Sequence, residues 1–578
     1  MLKKILLITI FAVALLSLFP NCAKVVTPTG GPKDTIPPAL VKSIPKPNAI
    51  NFRGEKLVLE FDEFLALKDV QQKLLVSPPL NNRPQIKPKG KRIELEIKDT
   101  LLENTTYTVY FGDAIRDNNE NNAIPNFEFA FSTGPTIDTA SLAGTIVNSF
   151  TNEPVEGALI MLYSSFADSL PYIKRPTHMA KSGKNGRFKV NNLKNIDYKL
   201  VAITDANGNY LYNQGIEDIA FVEGKVTHDM LMNASDSSRW VRLRTFSEPL
   251  PYQLLTGTNR PQRDLIELNF SRKPVGGFKL VQVDNPVSEK WYIPEPDNEG
   301  DTVKLWIISE KISAADTLKL ALSYLKTDSL NMLQPRIDTL RFVYYESEEA
   351  GNDSRSKRGK KEEVVKPTGF KVETSIKNMA VAIPGVPFEF TLPSPARKVN
   401  GALVQIFNQT DSILEPGVKL VADSINPRIY RFNTSWKPNV TYKMIVLPGA
   451  FESYTSTLND TLKLQLTGAD PESFGTLTVK FSGVSKAVVA ELLTEKDAVV
   501  DRKAVVGNQS VTFTFIAPAK YKLRFIDDLN ANGTWDSGNY LKRIQPERVI
   551  PFTEGKNKGV INVRANWDNE ISVSLQKP

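Results

Sequence analysis

Oxygen-bearing side chains recur at every second position in one short stretch near the carboxyl end of the chain. Asp528, Asn530 and Asn532 are followed by Gly533 and Asp536, which places oxygens at relative positions one, three, five and nine and glycine at six. Calcium prefers several oxygen ligands that converge from a tight turn, and this spacing resembles the start of an EF-hand calcium loop. The stretch is therefore a candidate structural calcium site.

The same stretch departs from an EF-hand in two ways. The twelfth position is Asn539 and not the bidentate glutamate, and the preceding residues 521–526 alternate like a strand and not like a helix. The alternative is that the Asp and Asn side chains cap a β-hairpin through local bonds to the backbone. A second loop, residues 205–209, begins in the same way but has Tyr210 in place of the glycine.

The only cysteine, Cys22, follows a segment that is typical of export signals. Residues 1–4 carry two lysines, and residues 5–19 are apolar or small, a length that suits a signal peptide and is short for a membrane span. The segment resembles that of bacterial lipoproteins, although Asn21 stands where a small residue is usual. The resemblance implies cleavage before Cys22 and attachment of a lipid to its thiol. The alternative is an ordinary signal peptide that is cleaved nearby.

Residues for other kinds of chemistry are scarce. The chain has only two histidines, His178 and His228, and no Gly-x-Ser-x-Gly motif, so hydrolase triads have no visible members. Glycosidases need only two acids placed by the fold, and the 64 acidic residues supply many pairs. Asp62 and Glu63 could be nominated, against the simpler interpretation that they end a solvated strand. We therefore predict no enzyme activity, no catalytic residue and no cofactor beyond the calcium considered above.

Charge and composition restrict the possible partners and the number of domains. The net charge of +8 arises from 72 basic and 64 acidic residues that are interspersed, so we predict no nucleic-acid partner. Hydrophobic residues make up 41% of a 578-residue chain, which is ordinary for folded domains and enough for several of them.

Short alternating runs, broken by Pro, Asn and Gly, are typical of antiparallel strands in a β-sandwich. In residues 39–134 the alternation forms three apolar triplets, each on one face of a sheet. The triplets recur twice, which predicts three copies of one Ig-like module. They are Leu57, Leu59, Phe61; Tyr107, Val109, Phe111; and Phe127, Phe129, Phe131 in the first copy, Ile266, Leu268, Phe270; Leu318, Leu320, Leu322; and Leu340, Phe342, Tyr344 in the second, and Phe388, Phe390, Leu392; Tyr442, Met444, Val446; and Leu462, Leu464, Leu466 in the third.

A second kind of module occurs twice. Strand-like segments at 142–146, 186–190 and 198–205 are matched by segments at 476–481, 511–515 and 521–528, and each set ends in an Asn-rich turn. The predicted order is Ig-like, second type, Ig-like, Ig-like, second type. The predicted segments are a signal peptide 1–21, a tether 22–38, modules 39–134, 138–235 and 240–345, a charged linker 346–366, and modules 367–468 and 472–578.

The residues also resemble a known family. The stretch from Cys22 through Pro28 to Asp34, with residues 76–79 and 131–134, resembles Bacteroidota lipoproteins that begin with an SbsA-type Ig-like domain. Residues 140–230 resemble the transthyretin-like fold of carboxypeptidase regulatory domains, which have no active site. The fold expectation is therefore an all-β, elongated chain of tandem Ig-like and transthyretin-like β-sandwiches.

The resemblance implies a non-enzymatic lipoprotein of the outer membrane, anchored at Cys22, on the surface or the periplasmic side. Its expected role is a scaffold or accessory subunit that binds a protein partner, such as an outer-membrane β-barrel complex for assembly or export. One alternative is a glycan-binding surface lipoprotein, which needs several of the six tryptophans on one face. A less favoured alternative is a hydrolase with a carboxylate pair that the sequence does not reveal.

Overall fold

A computed structural model describes residues 34–284, 290–297, 300–345, 369–408, 418–553 and 559–575. The predicted signal peptide, Cys22, most of the tether and the charged linker 346–366 lie outside these residues. The predicted all-β class is confirmed, because the described chain is built from 41 strands and a few single helical turns. The strands form five β-sandwich units, called modules 1 to 5 in chain order.

Module 1 is a sandwich of a four-stranded and a three-stranded sheet with one additional strand pair. The sheets have the orders β1-β2-β6-β5, β4-β7-β9 and β3-β8. The strands are β1 (Leu40–Ile44), β2 (Lys56–Phe61), β3 (Leu65–Leu67), β4 (Leu75–Ser77), β5 (Gln85–Lys89), β6 (Arg92–Glu96), β7 (Thr106–Gly112), β8 (Ile115–Asp117) and β9 (Phe127–Ser132).

Modules 3 and 4 repeat this sandwich. The strands of module 3 are β17 (Leu255–Gln262), β18 (Leu265–Phe270), β19 (Phe278–Gln282), β20 (Tyr292–Pro296), β21 (Thr302–Ile307), β22 (Thr317–Thr327) and β23 (Leu333–Val343). Those of module 4 are β24 (Glu373–Thr374), β25 (Ala380–Ala382), β26 (Phe388–Thr391), β27 (Ala396–Val399), β28 (Val404–Asn408), β29 (Val421–Ala422), β30 (Ile429–Phe432), β31 (Thr441–Val446), β32 (Phe451–Ser453) and β33 (Leu462–Gly468).

The strand order in these modules supports the predicted threefold repeat. Module 3 has the orders β17-β18-β21-β20 and β19-β22-β23, and module 4 has β24-β26-β30-β29 and β28-β31-β33 with β25 added beside β33. Each four-stranded order and each three-stranded order therefore matches that of module 1, strand for strand. The apolar triplets lie on or directly beside matching strands of the three modules, and most of their side chains are buried.

Modules 2 and 5 have a different strand order. The strands of module 2 are β10 (Ala140–Asn148), β11 (Leu159–Tyr163), β12 (His178–Lys181), β13 (Arg187–Leu193), β14 (Lys199–Ile203), β15 (Asp218–Phe221) and β16 (Val241–Ser247). Those of module 5 are β34 (Gly475–Ser482), β35 (Ala487–Thr494), β36 (Val499–Val506), β37 (Ser510–Ile516), β38 (Ala519–Asp527), β39 (Val549–Pro551), β40 (Ile561–Val563) and β41 (Asp568–Ser574).

The two modules of the second type share one topology. Module 2 has one seven-stranded order, β12-β11-β14-β15-β16-β10-β13, in which β15 pairs with β16. Its parts β12-β11-β14-β15 and β13-β10-β16 match the two sheets β36-β35-β38-β39 and β37-β34-β41 of module 5. In both modules the first strand pairs in parallel with the last, β10 with β16 and β34 with β41. Strand β16 therefore belongs to module 2, which moves its end beyond the predicted boundary at residues 235–240. This pairing joins strands about a hundred residues apart, and local alternation carries no signal for it.

The helical elements are short. The α-helices are Val70–Lys73, Leu170–Ile173, His228–Met232 and Glu310–Ser313, and the 3₁₀ turns are Ser237–Arg239, Gly401–Leu403 and Pro471–Ser473.

Modules 1 and 2 pack closely together. The backbone N–H of Met179 on β12 donates to the Ser77 hydroxyl on β4 at 3.0 Å, and Leu75 joins the buried cluster of module 2. The hydroxyl of Thr108 on β7 donates to the side-chain oxygen of Asn192 on β13 at 3.0 Å. Module 1 therefore covers one edge of the module 2 sheet.

Module 5 returns to contact module 2. The Tyr540 ring is 2% exposed and lies 5.4 Å from the ring of Phe221, measured between centroids. The backbone N–H of Tyr540 donates to the buried carboxylate of Glu248 at 3.0 Å, and Arg543 pairs with Asp168 at 2.9 Å. The five modules are therefore not arranged in a line in chain order, because module 5 packs against module 2.

Modules 3 and 4 are joined by a buried ion pair. Arg428 of module 4 donates to both carboxylate oxygens of Glu295 on β20, at 2.8 and 2.9 Å. The indole N–H of Trp306 donates to the same carboxylate. Burial acts to raise the pKa of Glu295, but the hydrogen bonds from Arg428 and Trp306 hold it below its usual value.

Candidate functional site

The loop after β38 folds around the carboxylate of Asp528, which is buried. One carboxylate oxygen accepts from the backbone N–H of Asn532 at 3.0 Å, and the other accepts from that of Gly533 at 2.8 Å. Ala531 and Gly533 have positive φ angles of 57° and 78°. These two left-handed residues turn the chain so that its N–H groups face the carboxylate.

The structure brings together the four residues of the predicted calcium site. The side-chain amides of Asn530 and Asn532 donate to one oxygen of Asp536 at 2.6 and 2.8 Å. In this arrangement N–H groups face the carboxylate, so a cation would require both amides to turn. These are the local bonds of the capping alternative, and calcium binding stays a prediction. Within the described ranges, no group of three or more His, Cys, Asp or Glu side chains is placed to hold a metal ion.

A further acidic residue, Glu547, completes the loop. One of its carboxylate oxygens accepts from the backbone N–H of Leu529 at 2.6 Å, and the other accepts from that of Asp536 at 2.9 Å. Glu547 is 4% exposed, and burial raises its pKa. It lies eleven residues beyond Asp536, outside the spacing of any EF-hand pattern, and the sequence interpretation missed it.

The loop of module 2 has the same construction. Glu217 accepts from the backbone N–H groups of Ala206 at 3.1 Å and Asn213 at 2.9 Å, which are the counterparts of Leu529 and Asp536. Tyr210 takes the place of Gly533 and has a φ of 63°, so the turn forms without glycine. Both loops are thus followed by an acidic residue, Glu217 in module 2 and Glu547 in module 5, at different distances. This shared sequence feature could have identified Glu547.

The module 5 loop also positions the residues that contact module 2. The indole N–H of Trp535 donates to the backbone carbonyl of Glu547 at 2.9 Å, and its ring lies 5.2 Å from that of Phe150 between centroids. The hydroxyl of Ser537 donates to the backbone carbonyl of Ser247 at 2.6 Å. This loop therefore provides contacts between module 5 and module 2.

A cavity of about 570 Å³ lies between modules 1 and 2. Leu75, Met179, Phe188 and Val190 are among its lining residues, and their side chains are largely buried in the hydrophobic clusters behind it. Strand β13 runs along it and is an outermost strand, since it pairs only with β10. An outermost strand presents backbone N–H and C=O groups that an extended chain can pair with.

The charge of this cavity is mainly positive. Lys181, Arg187 and Lys189 line it, and Glu128 is the single carboxylate among its described lining residues. Glu128 accepts from the side-chain amide of Asn191 at 2.7 Å. Burial lowers the pKa of Lys181. The cavity can therefore receive an extended or apolar group with negative charge, and it holds no carboxylate pair of the kind glycosidases use.

Aromatic side chains complete the cavity. Tyr110 and Trp240 both line it, and the guanidinium of Arg187 lies 5.4 Å from the centre of the Trp240 ring. The amides of Asn126 and Asn185 are close by in the same wall. Rings beside amide groups are the groups that sugars contact in binding sites.

The other nominated residues are dispersed. Asp62 accepts from the backbone N–H of Ala39 at 2.7 Å, and burial together with the charge of Asp62 raises the pKa of Glu63. His178 is buried on β12, which lowers its pKa to about 4, and His228 is exposed.

The tryptophans do not form a platform in the described part of the chain. Trp291, Trp306 and Trp436 are buried, and Trp567 is 58% exposed. No helix in the described ranges is both long and apolar enough to span a membrane.

Comparison with known proteins supports the Ig-like part of the chain. Residues 34–133 match the family of bacterial Ig-like domains. A search of curated proteins found no match. This first segment is therefore similar to bacterial Ig-like domains.

Several solved structures are similar at a low level. The Bacteroides ovatus mixed-linkage glucan utilization locus protein SGBP-B, solved with a mixed-linkage heptasaccharide, is 8% identical over 64% of this chain and 87% of its own, with a TM-score of 0.17. The S-layer protein rSbsC is 9% identical over 90% and 67%, with a TM-score of 0.14. The Bacillus cereus major pilin subunit BcpA is 8% identical over 75% and 99%, with a TM-score of 0.12. Similarities this low carry no argument about function.

Proposed function

We propose that the chain is a non-enzymatic lipoprotein of the outer membrane, anchored through Cys22, that acts as a scaffold or accessory subunit for a protein partner. The observation that carries the binding role is the cavity between modules 1 and 2, bordered by the outermost strand β13. The family resemblance supplies the class of partner, an outer-membrane β-barrel complex for assembly or export. Fold resemblance by itself does not assign a partner, so this step needs a direct test.

The cavity favours an extended, acidic segment of the partner. Strand β13 offers backbone pairing, while its alternate residues Phe188 and Val190 are buried in the core of module 2. Arg187 and Lys189 are exposed beside them. Charge complementarity of this kind contributes chiefly to specificity and to the rate of association.

The test is a mild-detergent pull-down of the tagged chain from membranes, followed by mass spectrometry. The proposal expects near-stoichiometric recovery of an outer-membrane β-barrel protein, reduced by Cys22→Ala and by the charge reversal Arg187→Glu with Lys189→Glu. Lys42→Glu, at an exposed lysine on β1, is the matched control and should leave recovery unchanged. Recovery of the chain without a β-barrel protein would overturn the proposal. If the Arg187→Glu, Lys189→Glu variant recovers as much β-barrel protein as the parent chain, the cavity is excluded as the binding site.

A second candidate function is the binding of a glycan in the same cavity. It rests on Tyr110 and Trp240, whose rings line the cavity beside the amides of Asn126 and Asn185. Calorimetric titration with a panel of neutral polysaccharides would show binding that Trp240→Ala removes and that Trp567→Ala, at the exposed ring outside the cavity, leaves intact. Absence of binding across the panel would remove this candidate.

A further inference from the structure

Strand β36 of module 5 is an open sheet edge. It is the outermost strand of the order β36-β35-β38-β39. Val499, Val500 and Val506 along it are 46%, 48% and 70% exposed. The opposite edge, at β39, faces module 2, where the side-chain amide of Asn152 donates to the carbonyl of Val549 at 3.0 Å. Contact with module 2 therefore leaves β36 accessible.

The matching strand in module 2 is covered. Strand β12 occupies the place of β36 in the shared topology, and β4 of module 1 lies against it through the bond from Met179 to Ser77. His178 and Met179 are buried there. The same edge is thus occupied by a β-sandwich of this chain in one copy of the module and is open in the other.

Strand β36 lacks the proline found in several other outermost strands, although it has a β-bulge between Val499 and Asp501. Proline, which cannot donate a backbone hydrogen bond, interrupts β5 at Pro88, β20 at Pro294 and β23 at Pro335. Strand β36 has eight residues, Val-Val-Asp-Arg-Lys-Ala-Val-Val, with no proline. Its length and apolar ends suit pairing with another strand.

The sequence of β36 is complementary to itself when two copies run antiparallel about Arg502. Asp501 of each copy then stands opposite Lys503 of the other, so the ion pair that these residues form within one copy at 3.1 Å can also form between copies. The β-bulge between Val499 and Asp501 ends the regular pairing there, so the facing segment is 501–503. Opposite charges in directly facing positions stabilise antiparallel strands. The backbone N–H of Arg502 donates to the Asp501 carboxylate at 2.7 Å, and pairing with a second copy replaces that bond. Arg502 faces itself, but its guanidinium already pairs with the buried carboxylate of Glu491 at 2.6 Å.

We infer that β36 is a self-association edge, at which a second copy of this chain adds its own β36 to form a continuous antiparallel sheet across a twofold axis at Arg502. The interface is isologous, so each copy uses the same residues. This inference does not depend on the partner proposed above.

Cysteine cross-linking tests the register. In the full-length chain, Arg502→Cys should give a disulfide-linked dimer on mild oxidation, because facing Cα atoms of antiparallel strands are within disulfide reach. Ala504→Cys should not, because the two copies of residue 504 lie four residues apart along the strands, about 13 Å. The parent chain, whose only cysteine is Cys22, sets the background. Equal cross-linking at both positions, or none at either, would overturn the inference.

Charge exchange supplies a second test that keeps Arg502. Asp501→Lys alone and Lys503→Asp alone each place like charges opposite one another at two symmetric positions, and should weaken dimerisation about tenfold in sedimentation of the detergent-solubilised chain. The double exchange should restore it. Thermal unfolding of each variant shows whether module 5 is still folded. A monomer for the parent chain at 100 μM, or single exchanges without effect in folded protein, would refute the dimer.

Discussion

Replacing Tyr540 by alanine should release module 5 from module 2 while both sandwiches stay folded. The ring is 2% exposed within a cluster of module 2 residues that includes Phe221 and Tyr172, yet it belongs to a loop of module 5. Truncating a buried aromatic residue costs about 3–5 kcal/mol. The Arg543–Asp168 pair is partly exposed and contributes at most about 1 kcal/mol. The equilibrium constant for docking of module 5 on module 2 should therefore fall by roughly two to four orders of magnitude.

Amide hydrogen exchange measures this release directly. In the docked state the Tyr540 N–H is bonded to buried Glu248, and Phe221 lies beneath the ring. The alanine variant should exchange faster by about a hundredfold or more in segments 537–545 and 219–222, with little change in β34 to β38.

Tyr540→Phe is the matched control. The Tyr540 hydroxyl is buried and has no hydrogen-bond partner among the described residues, so its removal leaves the ring contacts intact and should be neutral or slightly stabilising. Unchanged exchange in both segments of the alanine variant would refute the docking argument. Faster exchange throughout module 5 would show that Tyr540 supports the sandwich and not the junction.

Three further outcomes are expected. Burial holds the pKa of His178 at about 4, so this histidine is protonated in the unfolded chain before it is protonated in the folded one. The free energy of unfolding should therefore drop by up to about 3 kcal/mol between pH 6.5 and 4. In urea titrations, His178→Gln should lack this pH-dependent loss, and the exposed-site control His228→Gln should retain it. Arg428→Ala leaves the buried carboxylate of Glu295 uncompensated and should destabilise the junction of modules 3 and 4 by about 3–5 kcal/mol, seen as a lower denaturant midpoint than for the parent chain. Glu547→Ala leaves two loop N–H groups without acceptors and should lower the stability of module 5 by about 2–6 kcal/mol; an unchanged Tm would show that water replaces the carboxylate at no cost.

Strand positions and module repeats were accessible from the sequence because they depend on local alternation. The triplets around Leu59, Leu268 and Phe390 were predicted to line sheet faces, and these three side chains are fully buried. The twofold occurrence of the second module type was accessible for the same reason, since the strands before each Asn-rich turn alternate alike.

Features that depend on contacts between residues far apart in the sequence could not be predicted from the sequence. The parallel pairing of β10 with β16 placed a strand in module 2 that local patterns assign to the next module. Glu547 reaches its loop from a separate segment, so no fixed spacing identified it. The docking of Tyr540 depends on the shape of two assembled modules, and a single tyrosine in an irregular stretch gives no sign of it.

The return of module 5 to module 2 has a consequence for the order in which the molecule matures. The N–H donor of Tyr540 and its acceptor Glu248 are 292 residues apart, so module 2 is synthesised long before the loop that covers it. Closing a flexible loop of that length costs about 5 kcal/mol in chain entropy, and folding of modules 3 and 4 in between shortens the flexible length and lowers that cost. A chain that has not yet formed module 5 therefore exposes the aromatic surface around Phe221, and docking of Tyr540 buries it.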